Sequence, residues 1–108
     1  MLKRNSNKPA QENPQADGQV REHIILSGRV QGVGLRYRAV YAARSLDLTG
    51  WVENMSDGTV EMEVQGPIRS IGLFLERIRD GTFIEVTDTQ MYDVPPDPGE
   101  YDFRVRGY

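Results

Sequence analysis

The sequence contains no cysteine and only one histidine among its 108 residues. The absence of cysteine excludes a disulfide framework, thiolate catalysis and zinc sites of the cysteine type. A single histidine also argues against a histidine-based metal cluster, so we expect neither a metal site nor a cofactor. Because 38% of the residues are hydrophobic, the chain can still form one modest core, and we predict a single domain.

Long apolar runs are also absent. No stretch approaches the roughly 20 apolar residues of a transmembrane helix, and the N-terminus lacks the apolar segment of a secretory signal. We therefore expect a cytoplasmic protein with no membrane partner, and we take it to be a monomer.

The N-terminal residues 1–19 are polar, rich in Asn, Gln and Pro, and show no periodic apolar pattern. We predict that this segment is a disordered tail and that residues 20–108 form the domain. The tail carries three basic and two acidic side chains, whereas the whole chain has a net charge of −3. The domain is therefore acidic, which argues against a nucleic-acid partner.

The most informative stretch is Ser-Gly-Arg-Val-Gln-Gly-Val-Gly-Leu-Arg at residues 27–36. It reads as the end of a strand, a glycine-containing loop and the start of a helix. Gly32 and Gly34 can adopt positive φ, so the loop can point several backbone N–H groups at one spot. The helix N-terminus and the Arg36 guanidinium add positive charge there. The stretch predicts a binding site for a small anion, although such turns also occur as plain connections.

This loop is not a nucleotide-binding motif of a known type. It lacks the Gly-Lys-Ser/Thr ending of a P-loop, and Tyr37 replaces the third glycine of a dinucleotide fingerprint. A small oxyanion therefore fits better than a nucleotide.

Hydrophobic periodicity predicts the order strand, helix, strand, strand, helix, strand, strand. The segments are a first strand from residue 21, a helix over 36–46, strands over 49–55 and 60–64, a helix opened by Pro67, and strands over 83–94 and 101–105. This order is typical of an α+β, ferredoxin-like split βαβ sandwich with a mostly antiparallel sheet of four to five strands and two helices on one face. Breaks in alternation between Thr87 and Met91 indicate a bulge in the sixth element.

The two helices show apolar stripes at helical spacing. We expect the stripes to contain the following residues: Ala39, Val40, Ala43 and Leu46 in the first helix, and Ile68, Ile71, Phe74, Leu75 and Ile78 in the second. Pro67 is expected at the first helical position. Asp47 stands where a terminating glycine is usual, and we expect it in the left-handed conformation.

The predicted topology also locates Asn54. The first and second strands run in the same direction, so their C-terminal ends share one edge of the sheet. With the third strand between them, Asn54 lies about 9 to 10 Å from the loop, a gap that a phosphate and a water can bridge. Alternation turns Glu53 away from Asn54, and Asp57 is explained by its Asp-Gly turn. We expect His23 at the surface, without a catalytic role, and Tyr37 and Tyr41 as an exposed pair on the first helix.

Together, the Gly-Arg-Val-Gln-Gly-Val-Gly-Leu-Arg stretch, the Gly-Trp-Val-Glu-Asn stretch at 50–54 and the following Asp57-Gly58 turn resemble the acylphosphatases. The likeness covers residues 21–108. The family pattern usually has Phe at the position of Leu35 and Gly at the position of Asp47, so the chain departs from it twice.

The resemblance implies a set of site residues and a substrate. The phosphate would be bound by the loop residues Gln31, Gly32, Val33, Gly34, Leu35 and Arg36. Arg36 and Asn54 would be the catalytic side chains, with Asn54 positioning the attacking water. The substrate would be a small acyl phosphate, and inorganic phosphate or sulfate would inhibit. The departing carboxylate needs no proton, which explains a site without an obvious general acid.

Two other functions remain open at this stage. A similar domain occurs in hydrogenase-maturation proteins that handle carbamoyl phosphate, so the chain could be a binding or transfer module. An RNA-binding module shares the order of strands and helices, but residues 60–64 offer carboxylates where stacking aromatics would be needed.

Overall fold

The computed structural model describes residues 19–107. The tail predicted for 1–19 lies outside the described residues except for Gln19, and so does Tyr108. The boundary between tail and domain therefore stays a prediction.

Two helices pack on a five-stranded sheet. The elements are β1 (Val20–Arg29), α1 (Leu35–Ser45), β2 (Thr49–Asn54), β3 (Val60–Gly66), α2 (Ile68–Arg79), β4 (Glu85–Val94) and β5 (Phe103–Val105). The strand order is β4-β1-β3-β2-β5, and only the β2–β5 pair is parallel within this described sheet. The predicted ferredoxin-like α+β fold is confirmed.

The core lies between the helices and one face of the sheet. Alternate side chains of the central strands, such as Ile24, Met62 and Val52, are fully buried there with Phe74 of α2. Phe74 also packs edge-on against Phe103 of β5, with ring centroids 5.8 Å apart. The three-residue strand β5 is thereby fixed beside β2, and with it the chain that follows.

The apolar faces of the helices match the predicted stripes only in part. In α1 the buried residues are Leu35, Ala39, Ala42 and Ala43. Val40 and Leu46 are only partly buried. In α2 Ile68 is 54% exposed, and Pro67 is the N-cap rather than the first helical residue. Spacing indicates which side of a helix is apolar, but it does not indicate how far along the helix the sheet extends.

The last two strands are shorter than predicted, and the bulge is confirmed. β4 starts at Glu85 and β5 at Phe103. In the β1–β4 ladder Ser27 pairs with Asp88, whereas Gly28 pairs with Val86. Thr87 is therefore the additional residue, and it bends the strand beside the point where β1 enters the glycine loop.

Candidate active site

The glycine loop has the curled conformation that the sequence predicts. Gly32 has φ 74° and Gly34 has φ 80°. A Cβ added at either position would meet nothing within 4 Å, so the backbone angle and not the space requires glycine. Gly34 is the N-cap of α1, and its carbonyl accepts the N–H of Arg38 at 3.1 Å. No side-chain hydrogen bond from the described residues caps this helix end, and the N-terminus of a helix is a common binding site for anions.

The sheet brings Asn54 to this loop. β1 and β2 are both antiparallel to β3 and therefore run in the same direction. Asn54 is the last residue of β2, and Arg36 is the second residue of α1. Asn54 and Arg36 line one cavity of about 120 Å³ together with five loop and helix residues. Those five are Val30, Gly32, Gly34, Leu35 and Tyr37.

The side chain of Asn54 carries an unusual feature. Its Oδ1 is buried and has no hydrogen-bond partner among residues 19–107. Buried polar atoms in proteins are nearly always paired. An amide oxygen has two lone pairs and acts only as an acceptor, so this atom can receive a hydrogen bond from a small bound molecule.

A wider cleft of about 410 Å³ adjoins the same side chains. It is lined by Gln31, Arg36, Glu53, Asn54, Met55, Ser56, Arg106 and Gly107. The cavity and the cleft share Arg36 and Asn54, so these two residues stand where both spaces meet.

Arg106 is a residue of this cleft that sequence reasoning missed. Its guanidinium lies 3.7 Å from the centroid of the Trp51 ring, and its Nη2 is 3.1 Å from Glu53 Oε1. Arg106 directly follows β5, and its neighbours depend on the pairing of β5 with β2, which its own N–H continues by donating to Val52 O at 2.8 Å. Glu53, which alternation was expected to turn away from Asn54, lines the same cleft as Asn54.

The side chain of Gln31 connects the loop to the β2–β3 turn. Its Nε2 donates to the Met55 carbonyl at 2.7 Å and to the Thr59 carbonyl at 2.8 Å. The sequence pointed to the backbone of Gln31, and it carried no signal for these two side-chain bonds.

The sheet face without helices carries an ion-pair network that includes His23. The ring nitrogens of His23 lie 2.8 Å from Glu63 and 3.0 Å from Glu61, and Arg21 is 2.7 Å from Glu63. The side chain of His23 lies on this helix-free face and is 23% exposed. Burial acts to raise the pKa of Glu63, but hydrogen bonds from Arg21 and His23 outweigh it and hold this pKa below its ordinary value.

Other expectations concern residues around the site. Tyr37 and Tyr41 are both 76% exposed, in agreement with the prediction. Within residues 19–107, no three His, Asp or Glu side chains are grouped so that they could hold a metal ion. None of the described helices is both long and apolar enough to cross a membrane.

Comparison with known proteins identifies the family. The family model described as acylphosphatase matches residues 22–105. The chain belongs to the acylphosphatase family. It is 46% identical over 86 residues to an acylphosphatase of Geobacillus thermodenitrificans, which covers 79% of this chain and 92% of that protein. It is 42% identical over 86 residues to an acylphosphatase of Bacillus pumilus, covering 79% of this chain and 96% of that one.

Solved structures agree with this assignment. The crystal structure of acylphosphatase from Bacillus subtilis superimposes with a TM-score of 0.73 at 37% identity and covers 80% of this chain and 97% of that chain. Full-length HypF in the phosphate- and nucleotide-bound form also gives a TM-score of 0.73, at 27% identity, but the match covers only 12% of that chain. The two departures from the acylphosphatase pattern fit the fold, since Leu35 is buried beneath the loop and Asp47 has φ 56°.

Proposed function

We propose that this chain hydrolyses the carboxyl–phosphate bond of small acyl phosphates to a carboxylate and inorganic phosphate, without a metal or cofactor. The observation that carries the proposal is one cavity lined by the glycine loop, Arg36 and Asn54, whose buried Oδ1 has no hydrogen-bond partner within residues 19–107. Membership of the acylphosphatase family supports the same reaction.

In this proposal the phosphate is bound by the loop and Arg36. The backbone N–H groups of residues 31–36 and the N-terminus of α1 point partial positive charge at the phosphoryl oxygens. Arg36 adds a full positive charge, and its guanidinium can donate hydrogen bonds to two phosphoryl oxygens at once. Phosphoryl transfer depends mainly on positioning and charge stabilisation, and these groups provide both.

Asn54 holds the attacking water in the same scheme. The water donates one hydrogen bond to Oδ1, which directs its lone pair at phosphorus. An O–P bond forms while the bond from phosphorus to the acyl oxygen breaks, and the electron pair leaves with the carboxylate. A phosphate oxygen of the substrate takes the proton from water, because the amide of Asn54 cannot act as a base.

Two rival assignments have less support. Glu53 could be a general base, but its carboxylate is paired with Arg106. The domain of HypF, which was solved with phosphate and nucleotide bound, is the other candidate relative. The identity to HypF is 27%, compared with 46% for an acylphosphatase that the chain spans almost entirely.

We also propose that the chain acts as a cytoplasmic monomer without a nucleic-acid partner. The helix-free face presents Glu61 and Glu63, paired with His23 and Arg21, where an RNA-binding sheet needs stacking aromatics. Size-exclusion chromatography tests the monomeric state, and filter binding with RNA tests the absence of a nucleic-acid partner.

The function is tested by a hydrolysis assay with leaving groups of graded acidity in the presence of excess EDTA. Benzoyl phosphate should be turned over rapidly, an activated aryl phosphate slowly, and an alkyl phosphate hardly at all, because no acid protonates the leaving oxygen. Sulfate and inorganic phosphate should inhibit competitively. Comparable rates for alkyl and acyl phosphates would require an acid and contradict the mechanism. Loss of activity in EDTA that magnesium restores would contradict the metal-free proposal.

A further inference from the structure

The side-chain amide of Gln31 bridges two parts of the active site that are far apart in sequence. Gln31 belongs to the loop that follows β1, whereas Met55 and Thr59 form the two ends of the turn between β2 and β3. Both hydrogens of the Gln31 amide are used, at 2.7 Å to Met55 O and 2.8 Å to Thr59 O. The bridge is part-buried, so its bonds compete less with water than surface bonds do.

The turn at the other end of this bridge is itself rigidly closed. Met55 N–H donates to Thr59 O at 2.9 Å, and Gly58 N–H donates to Met55 O at 3.2 Å. Asp57 Oδ1 accepts the N–H of Thr59 at 3.0 Å and its hydroxyl at 2.6 Å. Both carbonyls therefore accept two bonds, one from the turn and one from Gln31, which uses the two lone pairs of each oxygen.

This bridge reaches the residue directly after Asn54. Because Asn54 Oδ1 has no partner in the described part of the chain, no hydrogen bond to that oxygen fixes the side chain. The backbone of Asn54 continues directly into Met55, whose carbonyl accepts a hydrogen bond from Gln31. Gln31 in turn precedes Gly32, where the loop curls around the cavity. The bridge thus spans the gap between the phosphate loop and the strand that carries Asn54.

We propose that Gln31 is a positioning residue: its side-chain amide fixes the distance between the phosphate loop and Asn54, and so aligns the water with phosphorus. This inference rests on the proposed function. Glutamine suits the task because one nitrogen supplies two donors. Glutamate has the same length but would face two carbonyls with an acceptor, and methionine fills a similar space without a donor.

The test compares Gln31→Met with the matched control Gln90→Met. Gln90 is an exposed glutamine on β4 and lines neither the cavity nor the cleft. For Gln31→Met, we expect kcat for benzoyl phosphate to fall about 10- to 100-fold, since a misplacement near 1 Å can cost that much. The Kd of inorganic phosphate, measured by calorimetry, should change less than about threefold because the backbone and Arg36 bind it. Gln90→Met should leave both unchanged.

A double-mutant cycle shows whether Gln31 acts through Asn54. Added to Asn54→Ala, the Gln31→Met change should lower kcat less than about threefold further, because the group that it positions is gone. Full additivity of the two losses would overturn the proposal, as would a parallel loss of phosphate affinity. If Gln31→Met does not fold, Gln31→Glu serves in the same cycle.

A readout without turnover separates this inference from the proposed function. In the wild-type protein, inorganic phosphate should shift the NMR signals of the Asn54 side-chain amide. In Gln31→Met the phosphate should still bind but produce a clearly smaller shift. The same response in both proteins would overturn the positioning role, whether or not benzoyl phosphate is hydrolysed. Absence of hydrolysis by the wild-type protein would instead overturn the proposed function.

Discussion

Glu22 is a buried carboxyl on the side of the sheet that carries the helices. It lies in β1 opposite Asp93 of β4, beside the apolar residue Val64 of β3. Burial, together with the hydrogen bond and charge of Asp93, raises the pKa of Glu22 from 4.5 to about 7. The folded protein therefore keeps a proton on this pair at a pH where the unfolded chain has lost it.

This shift predicts a dependence of stability on pH. Because the folded pKa exceeds the unfolded value, the free energy of unfolding should fall by about 2 kcal/mol as pH rises from about 5 to about 8. Glu22→Gln should remove most of this decrease and should be more stable than the wild-type protein at the higher pH. Urea denaturation at both pH values measures the effect.

The control for this prediction is Glu76→Gln, which changes an exposed glutamate on α2. It should keep the pH dependence of the wild-type protein. The lowered pKa of Glu63 affects stability only in more acidic solution, so it does not interfere. An unaltered decrease in Glu22→Gln would show that Glu22 titrates normally.

Among the elements, α1 matters most for the proposed site because it starts directly after the glycine loop. Its other end is closed by a Schellman motif: Leu48 N–H donates to Ala43 O at 2.8 Å, and Asp47 N–H donates to Arg44 O at 3.3 Å. This motif needs a left-handed residue, which Asp47 supplies with φ 56°. An aspartate is less suited to that conformation than glycine.

We predict that Asp47→Gly stabilises the protein by about 0.5 to 1 kcal/mol, because relief of the left-handed strain exceeds the added entropy of the unfolded chain. Activity should not change, since Asp47 lines neither the cavity nor the cleft. The matched control is Asp80→Gly at the end of α2, where φ is −77°. It should destabilise by a similar amount. Urea denaturation measures the free energy of unfolding of both variants. A change of the same sign in both would contradict the prediction.

The elements that the sequence predicts well are those with a strong local signal. The alternation of β3, the Asp-Gly turn and the apolar stripe of α2 each fix an element within a few residues. The position of Asn54 beside the loop follows from chain direction alone. Contacts between separate elements are different. The bridge from Gln31 and the stacking of Arg106 on Trp51 depend on strand order and side-chain length, and the local pattern encodes neither.

At the scale of the whole molecule, the net charge has the same sign as the proposed ligand. The chain has a net charge of −3, yet the ligand that we propose is an anion. Charges separated by more than about 8 to 10 Å are largely screened at physiological ionic strength. In the proposed site we therefore expect the loop donors and Arg36 to control phosphate affinity, and the distant carboxylates to have little influence.

Local binding of this kind should stabilise the entire fold. Inorganic phosphate at about a hundredfold excess over its Kd should add about 2.7 kcal/mol to the free energy of unfolding. Differential scanning calorimetry measures this as a rise in Tm, with sodium chloride of equal ionic strength as the control. The rise should disappear in Arg36→Ala. A rise of the same size in sodium chloride would show a general salt effect instead of a site.

The central claim is that Arg36 binds phosphate and Asn54 holds water. It is tested most directly by measuring benzoyl phosphate turnover and calorimetric phosphate binding for Arg36→Ala and Asn54→Ala side by side. We predict that Asn54→Ala lowers kcat at least about 100-fold but still binds inorganic phosphate with nearly unchanged affinity. Arg36→Ala should lose both turnover and binding. Equal losses of phosphate affinity in the two variants would contradict this division of roles.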